Sequence, residues 1–452
     1  MLKGMSVAAT TLGCKVNQAE TDSMLDMLKA AGANIVEFDE KADIYIVNTC
    51  SVTNIADKKS RQMLHRARKM NPDGIVIAAG CYVQSAREIL EQDEAIDIVI
   101  SNNKKKSITE IVNDYINVRN NGKNAPGKDH EAMEYFVDIS RETEYEEMGG
   151  HVPVGHTRAY VKIQDGCNQF CSYCIIPYVR GRIRSRSQEA ILAEVSELAE
   201  AGIKEVVLTG IHISSYGKDK NNEGALIELI EAISKIKGIK RIRLGSLEPG
   251  IITEEFVERI SSNSKVCPHF HLSLQSGCDS VLKRMNRKYT CKQYFEKCDM
   301  LRKAYKSPAL TTDVIVGFPG ETEEEFAETV RYLTELNLYE MHIFKYSPRK
   351  GTVAAAMKEQ VAPEIKNERS DVLLKLAHDN KTAYEAQFEG CELEVLVEEV
   401  VKKDNKTYLR GHTERYMDIL IDVGDISMPE SFVNSFVYVT YTPNGGNLPL
   451  LL

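Results

Sequence analysis

Strand-like and amphipathic helical segments alternate along most of this 452-residue chain, and the alternation restricts the folds open to it. Within residues 1–118, strand-like runs lie near 5–12, 43–49, 75–80 and 96–100. Amphipathic stretches such as AETDSMLDMLKAAG and KKSRQMLHRARKM separate them. This order predicts an N-terminal parallel α/β sheet domain, in which functional groups gather at the carboxyl ends of the strands.

A second series of strands and helices follows a polar stretch at 119–152, which we interpret as a linker. Residues 153–384 contain six strand-like runs, namely RAYVKIQ, KEVVLTG, KRIRLGSL, HFHLSLQ, LTTDVIVGF and YEMHIFKYS. Six βα units are too few for a closed eight-stranded barrel, so we expect a partial, open (βα)6 barrel. Residues 385–447 contain short β-rich runs without helical periodicity, which predicts a small antiparallel β-barrel of a kind that often binds RNA. The predicted fold class is therefore multidomain α/β.

Six of the eleven cysteines form two groups of three. Cys14, Cys50 and Cys81 each end a strand-like run of the first unit, so the fold would bring them together at one sheet edge. Cys167, Cys171 and Cys174 form a C-x3-C-x2-C triplet after the first strand of the second unit. The other five cysteines show no ligand spacing and are interpreted as core or incidental residues. The alternating pair His269 and His271 is interpreted as packing or hydrogen-bonding residues.

Three thiolates suit an iron–sulfur cluster in which one iron is left without a protein ligand. An open iron of this kind in a [4Fe–4S] cluster can chelate the amino and carboxylate groups of S-adenosylmethionine. The C-x3-C-x2-C triplet is the motif by which radical-SAM enzymes are recognised, and Tyr173 has the usual aromatic position within it. A zinc knuckle would need a fourth ligand close in sequence, and no histidine or cysteine is there. Any single cysteine of the dispersed set could instead be a buried core residue.

Composition excludes several classes of protein. No apolar run approaches the roughly 20 residues of a membrane span, and the first residues read as a strand and not as a signal peptide. We therefore expect a cytoplasmic protein whose thiols are reduced, which favours metal binding or catalysis over disulfides. The net charge of −9 argues against a generally basic surface but leaves room for local patches. One such patch, RGRIRSR, places Arg180, Arg182, Arg184 and Arg186 at a period of two, on one face if the segment is extended.

Seven segments spread over nearly the whole chain resemble the methylthiotransferase family of radical-SAM enzymes: TLGCKVNQAETD, IVNTCSVT, AAGCYVQ, DGCNQFCSYCIIPYVRGRIRSR, SLQSGCDSVLKRMNRKYT, TDVIVGFPGETEEEF and FKYSPRKGT. The resemblance implies a methylthiotransferase domain, a radical-SAM partial barrel and a C-terminal TRAM-type barrel. It also implies two [4Fe–4S] clusters, one on each cysteine triplet, two S-adenosylmethionine molecules per turnover, and all six cysteines as catalytic residues. One electron from the Cys167/Cys171/Cys174 cluster would cleave S-adenosylmethionine, and the cluster on the other triplet would present the sulfur.

The segments also suggest a substrate. TLGCKVNQ resembles the branch that acts on N6-threonylcarbamoyladenosine at position 37 of tRNA, so Lys15 and Val16 direct this assignment. The expected partners are the tRNA anticodon loop and an external electron donor, with neither a membrane nor DNA. Alternatives are the same chemistry on N6-isopentenyladenosine in tRNA or on a ribosomal protein, and, from another class, a non-catalytic iron–sulfur RNA-binding protein.

Individual contacts follow from the same reasoning. The candidate S-adenosylmethionine contacts lie in the cluster motif and near the ends of barrel strands: Tyr173, Thr209, Gly210, Gln275, Thr312, Asp313 and Gly317. The glycines could equally serve turn geometry. We expect the arginine row to bind the tRNA backbone or the acidic threonylcarbamoyl group. In the C-terminal barrel the expected phosphate and base contacts are Lys402, Lys403, Lys406, Arg410, Arg415, Tyr408 and Tyr416, unless these form a solvated face.

Overall fold

The computed structural model describes residues 2–120, 135–149, 157–404, 406–424, 428–443 and 445–447. The first unit is a five-stranded parallel sheet in the order β2-β1-β3-β4-β5. Its strands are β1 (Ser6–Thr11), β2 (Asn34–Val36), β3 (Ile44–Thr49), β4 (Ile75–Gly80) and β5 (Ile98–Ile100). This confirms the predicted parallel sheet and adds one short strand, β2, which lies at the edge of the sheet.

Helices cover both faces of this sheet, as a parallel sheet requires. They are α1 (Lys15–Ala30), α2 (Asn54–Met70), α3 (Cys81–Ser85), α4 (Arg87–Glu91) and α5 (Ile108–Asn120). All residues of β3 and β4 are buried, because alternate side chains enter separate hydrophobic cores on the two sides. Two buried faces explain why these strands read as continuous apolar runs.

The second unit is a curved, open barrel built from six parallel strands and a short antiparallel one. The strands are β6 (Arg158–Asp165), β7 (Arg184–Ser185), β8 (Glu205–Gly210), β9 (Arg241–Leu244), β10 (His269–His271), β11 (Ala309–Val316) and β12 (Glu340–Lys345). They form one sheet in the order β7-β6-β8-β9 and another in the order β10-β11-β12, with isolated bridges between the two. Since no pairing joins β6 to β12 in the described residues, the barrel is open on that side, as expected.

Most helices of this unit pack on the outside of the barrel, whereas the short α6 contacts α3 of the first unit. They are α6 (Ile176–Val179), α7 (Gln188–Glu200), α8 (Ala225–Ser234), α9 (Glu254–Ser261), α10 (Asp279–Arg284), α11 (Cys291–Ala304), α12 (Glu323–Leu336) and α13 (Pro363–Ala386). The Thr322 hydroxyl accepts a hydrogen bond from the backbone of Glu325, and the Glu325 side chain accepts one from the backbone of Thr322, so a capping box begins α12.

Strand periodicity separates a helix-facing side from a concave inner side. On β11, Leu310, Val314 and Val316 belong to the outer core, whereas Thr311 and Asp313 alternate with them and face inward. On β9, Ile242 and Leu244 join the same core. The inner face of the barrel is consequently rich in polar and charged residues.

Five strands of the C-terminal unit form a closed barrel in the order β13-β14-β15-β17-β16. Its strands are β13 (Glu392–Lys403), β14 (Lys406–Thr413), β15 (Asp418–Asp422), β16 (Phe436–Thr442) and β17 (Gly445–Asn447). All pairings are antiparallel except β15 with β17. Arg241 and Arg243 of the central barrel donate to backbone carbonyls of this small barrel, which holds it against the amino ends of the central strands.

The first unit lies against the open side of the central barrel, where α1 contacts β6 and β8. Helix α5 continues to Asn120, and residues 135–149 of the expected linker pack between the units, with the Tyr145 hydroxyl donating to the carbonyl of Lys162. Residues 121–134 and 150–156 lie outside the described part of the chain. No helix within the described ranges is both long and apolar enough to cross a membrane.

Candidate metal centres in the barrel interior

The fold brings the dispersed cysteines together. Cys14 precedes α1, Cys50 follows β3 and Cys81 begins α3 directly after β4. Glycine is required beside them: Gly13 has φ +107°, and a Cβ there would lie 2.8 Å from the Cys50 Sγ. Burial raises the pKa of Cys14 and, to about 11, that of Cys50, and each thiol feels the charge of Cys81. The predicted convergence of the three thiols is therefore found in the structure.

A buried arginine connects this triplet to the central barrel. Arg180 is fully buried, and its Nε donates to the Cys81 Sγ at 3.2 Å. Its other nitrogens donate to Glu20, to the Asn17 Oδ1 at 2.5 Å and to the Asp165 Oδ2 at 3.1 Å. Although burial opposes ionisation, Arg180 and two neighbouring lysines hold the pKa of Glu20 well below its usual value.

Positive charge is in excess around Cys81. The buried anions are Glu20, Asp165 and Glu146, and burial raises the pKa of Glu146. Four buried cations lie around them, namely Lys105, Lys162, Arg180 and Arg184. Buried charge is costly unless it is neutralised. Deprotonated cysteines with a bound metal group would supply the missing negative charge, because metal binding displaces the thiol protons.

The second triplet lies in the loop that follows β6. The Cys174 amide donates to the Cys171 carbonyl at 2.9 Å, and the Cys167 amide donates to the Gly181 carbonyl at 3.0 Å. Arg287 donates from Nη1 to the Cys171 Sγ at 3.1 Å, so this triplet also has one arginine bonded to sulfur. Burial raises the pKa of Cys167 to about 11 and that of Cys174 to about 12.

The spacing of the sulfurs favours a polynuclear cluster over a single ion. Tetrahedral zinc, with Zn–S bonds of about 2.3 Å, places its sulfur ligands about 3.8 Å apart. Among the described residues, one set of three ligand atoms lies mutually within 4.8 Å, and it contains no cysteine. Both triplets therefore fit a larger group such as an iron–sulfur cluster, with three thiolates and one open iron.

That compact set consists of His271, Asp313 and His342, on the neighbouring strands β10, β11 and β12. The His271 Nε2 lies 3.5 Å from Asp313, its Nδ1 lies 3.0 Å from the Thr311 hydroxyl, and its ring stacks on His342. The hydrogen bond to Thr311 agrees with the interpretation of His271 as a packing or hydrogen-bonding residue. These groups could hold a divalent cation or hydrogen-bond a ligand.

The candidate S-adenosylmethionine contacts separate into two sets. The first set lies towards the concave face and comprises Gly210, Gln275 and Asp313. Gly210 packs against Gln164, and Gln275 has a φ of +77° and bridges to Val314 of β11. Thr209 is buried at the end of β8, and Tyr173 packs against the small core around Phe318.

The second set lies away from the concave face. Thr312 is fully buried on the helix side of β11, where its hydroxyl donates to the Leu272 carbonyl and accepts from Tyr294. Gly317 donates its amide to Glu321 and lies against the Lys366 side chain. The structure thus does not bring Thr312 to the interior with Asp313.

Sequence reasoning assigned no role to several polar residues beside the second triplet. Glu248 accepts a hydrogen bond from Gln169 at 2.7 Å and lies 3.2 Å from the His212 Nε2 and 3.6 Å from Arg287. Glu248 belongs to the segment LGSLEP, which follows the third barrel strand. The position of Glu248 after the carboxyl end of a barrel strand is the sequence signal that could have identified it as a site residue.

The arginine row does not form one face. Only Arg184–Ser185 is a strand, whereas Arg180 terminates α6. Arg180, Arg184 and Arg186 are buried in ion pairs, the last with Glu147 and Glu194. Arg182 alone of the four is exposed, over the ring of Phe170 at 4.5 Å. The expectation of four exposed guanidinium groups on an extended segment is wrong because distant carboxylates bind three of them.

The cations of the small barrel are also divided. Lys402 and Lys403 are exposed at the end of β13, whereas Arg410 is held by Asp418 and Glu399. Lys406 lies 3.8 Å from Asp422, and Tyr408 is half-buried on β14. Arg415 donates to the carbonyl of Ser307, and Tyr416 lies among central-barrel side chains, so these two residues contribute to the interface between the barrels.

Comparisons with known proteins agree with this architecture. The sequence profile of the Radical SAM superfamily matches residues 161–333, and that of Uncharacterized protein family UPF0004 matches residues 6–101. The chain is 39% identical over 416 residues to the threonylcarbamoyladenosine tRNA methylthiotransferase MtaB of Bacillus subtilis, covering 92% of this chain and 90% of that protein. It is 35% identical over 434 residues to the tRNA-2-methylthio-N(6)-dimethylallyladenosine synthase of Thermoanaerobacter pseudethanolicus, covering 94% and 88%.

Among solved structures, the radical S-adenosylmethionine methyltransferase TsrM from Kitasatospora setae superimposes with a TM-score of 0.54. The match covers 76% of this chain and 77% of TsrM at 15% sequence identity, so it supports the fold alone.

Proposed function

Because this chain belongs to the tRNA methylthiotransferase family of radical-SAM enzymes, we propose that it methylthiolates N6-threonylcarbamoyladenosine at position 37 of tRNA. The observation that carries the proposal is the pair of cysteine triplets, each with an arginine bonded to one sulfur; Arg180, which follows the second triplet in sequence, contacts the first. This arrangement suits a reaction that needs two metal groups near one substrate carbon.

The residues have separate tasks in this scheme. Cys167, Cys171 and Cys174 would hold the cluster that binds S-adenosylmethionine, and Cys14, Cys50 and Cys81 would hold the auxiliary cluster. When bound, these two [4Fe–4S] groups and two S-adenosylmethionine molecules supply radical C–H activation and the methylated sulfur. Arg287 and Arg180 stabilise negative charge on Cys171 and Cys81, because each donates to the sulfur from a buried position. An external protein would supply the electron.

Other residues would position the cofactor and the RNA. Gln275 and Asp313, together with Glu248, offer polar groups on the side where the second triplet lies. Arg182, Lys402 and Lys403 are exposed cations suited to backbone phosphates.

Threonylcarbamoyladenosine is favoured over isopentenyladenosine by the resemblance of the segment around Lys15 and by relatives named MtaB from three organisms at 37% to 39% identity. Relatives named for the dimethylallyl substrate, at 35% to 37% identity, keep the second substrate as the rival.

Mass spectrometry of tRNA nucleosides tests the proposal in cells. Deletion of the gene should remove 2-methylthio-N6-threonylcarbamoyladenosine, and the wild-type gene, but not a Cys174→Ala variant, should restore it. Loss of the methylthiolated isopentenyl nucleoside instead would transfer the activity to the rival substrate. If neither nucleoside changed, tRNA would not be the substrate.

A further inference from the structure

We propose that Lys15 is a specificity-determining residue whose ammonium binds the carboxylate of the amino-acid substituent on the substrate nucleoside. This inference rests on the proposed function, because it assigns a group for the one part of that substrate which is anionic.

The position of Lys15 connects the auxiliary triplet to the barrel interior. Lys15 is the first residue of α1 and directly follows Cys14, so the two Cα atoms are about 3.8 Å apart. Its Nζ lies 5.9 Å from the centre of the Tyr160 ring, on β6, and 5.7 Å from that of Tyr416 in the small barrel. A nucleoside whose reacting carbon faces the auxiliary triplet would therefore have its substituent within reach of this side chain.

Lys15 forms no ion pair within 4.0 Å in the described structure, and its side chain is accessible to a ligand. The anion whose charge it feels, Glu205, is bound by Arg243 at 2.8 Å. The nearby cations are already paired. Arg158 binds Glu398 at 3.0 Å, and Arg243 binds Glu205 at 2.8 Å and two backbone carbonyls. An ammonium that lies beside two arginines is unfavourable unless an anion binds and neutralises it.

The other cations that could bind the substrate carboxylate already form ion pairs with carboxylates of the protein. Arg180, Arg184 and Arg186 are buried in ion pairs, and Arg410 is held by two carboxylates on the outer barrel. Lys15 thus combines access, an interior position and an unneutralised charge. An aromatic-lined ammonium distinguishes a carboxylate from a neutral isoprenoid group, which can form no ion pair with it.

The test uses anticodon stem-loops bound to the anaerobic, cluster-loaded enzyme in the absence of reductant. One stem-loop carries N6-threonylcarbamoyladenosine, the second carries its methyl ester, and the third carries N6-isopentenyladenosine. Dissociation constants are measured for wild type, Lys15→Gln, Lys15→Arg and the matched control Lys29→Gln, which alters an exposed lysine at the far end of α1. Iron and sulfide content verifies that each variant retains its clusters.

We expect Lys15→Gln to weaken binding of the acid by about 30- to 100-fold and to leave the ester and the isopentenyl stem-loop within about threefold of wild type. Lys15→Arg should retain most of the affinity, and Lys29→Gln all of it. Wild type should bind the ester about as weakly as Lys15→Gln binds the acid, a comparison that does not depend on the variant's folding.

Equal binding of acid and ester by wild type would overturn the role of Lys15. If wild type still methylthiolated the acid stem-loop in that case, the proposed function would stand and only this inference would fail. If wild type neither preferred nor methylthiolated that stem-loop, the proposed function itself would fail.

Discussion

Replacing Arg180 by glutamine removes a side chain that contacts a cysteine sulfur and two buried carboxylates at once. The guanidinium contacts Glu20, Asp165, Asn17 and the Cys81 Sγ. Removing one partner of a buried ion pair costs about 3–5 kcal/mol. Glu20 and Asp165 each keep Lys162, at 2.7 and 2.6 Å, so we expect the lower end, about 3 kcal/mol.

Urea unfolding measures this loss directly. The chain contains no tryptophan, so far-ultraviolet circular dichroism is the suitable probe. With a slope of about 3 kcal/mol/M, a loss of about 3 kcal/mol lowers the midpoint by about 1 M. The matched control is Arg182→Gln, two residues along the chain, where the exposed side chain covers Phe170 and forms no ion pair in the described structure. Its midpoint should change by no more than about 0.2 M.

The same variant should lose metal. Without the guanidinium, the Cys81 thiolate lacks its buried donor, and second-shell losses of this kind typically reduce metal affinity by about 10- to 100-fold. We therefore expect purified Arg180→Gln to contain about half the iron of wild type, with the Cys167/Cys171/Cys174 cluster retained. Equal midpoints and equal iron content for the two glutamine variants would refute the reasoning.

Three further predictions concern single residues. Cys50→Ala should abolish methylthiolation, but the reduced variant should still release 5′-deoxyadenosine. The control Cys391→Ala, at an exposed thiol, should behave as wild type in both assays. Methylthiolation by Cys50→Ala would contradict the assignment of the Cys14/Cys50/Cys81 cluster as the sulfur donor. Arg287→Gln should slow 5′-deoxyadenosine release by about 10- to 100-fold, with the exposed neighbour in Lys288→Gln as the unaffected control. Hydrogen bonds from Arg284 lower the pKa of Glu325 from 4.5 to about 2, so this carboxylate stabilises the fold above pH 4.5 and loses that effect as the pH falls through 2. Glu325→Gln should therefore cost about 0.5 kcal/mol in urea unfolding at pH 7 and progressively less below pH 4.5, and a pH-independent cost would argue against the pair.

The periodic features of the chain predicted the fold well. Six barrel strands, the parallel first sheet and the closed C-terminal barrel all follow from local apolar patterns, because strand and helix periods are recorded in the sequence itself. The convergence of Cys14, Cys50 and Cys81 was also predictable from the sequence, because the carboxyl ends of parallel strands lie at one edge of the sheet. The edge strand β2 was missed, as it spans only Asn34–Val36 and is largely exposed.

Tertiary charge pairing was not predictable in this way. The spacing of Arg180 to Arg186 suggested an exposed row, but its partners include Glu20 and Glu147, which are distant in sequence. Thr312 and Asp313 were taken together, although neighbouring strand residues face opposite sides. Arg287 and Glu248 gained a role only when the fold placed them beside the second triplet.

A competition between the two substrates in vitro tests the proposed activity most directly. The anaerobically reconstituted enzyme is given equal amounts of tRNA carrying N6-threonylcarbamoyladenosine and tRNA carrying N6-isopentenyladenosine, with S-adenosylmethionine and a reductant, and the methylthiolated nucleosides are quantified by mass spectrometry. We expect the product from the threonylcarbamoyl substrate to be in large excess. Predominant methylthiolation of the isopentenyl substrate, or 5′-deoxyadenosine without either product, would contradict it.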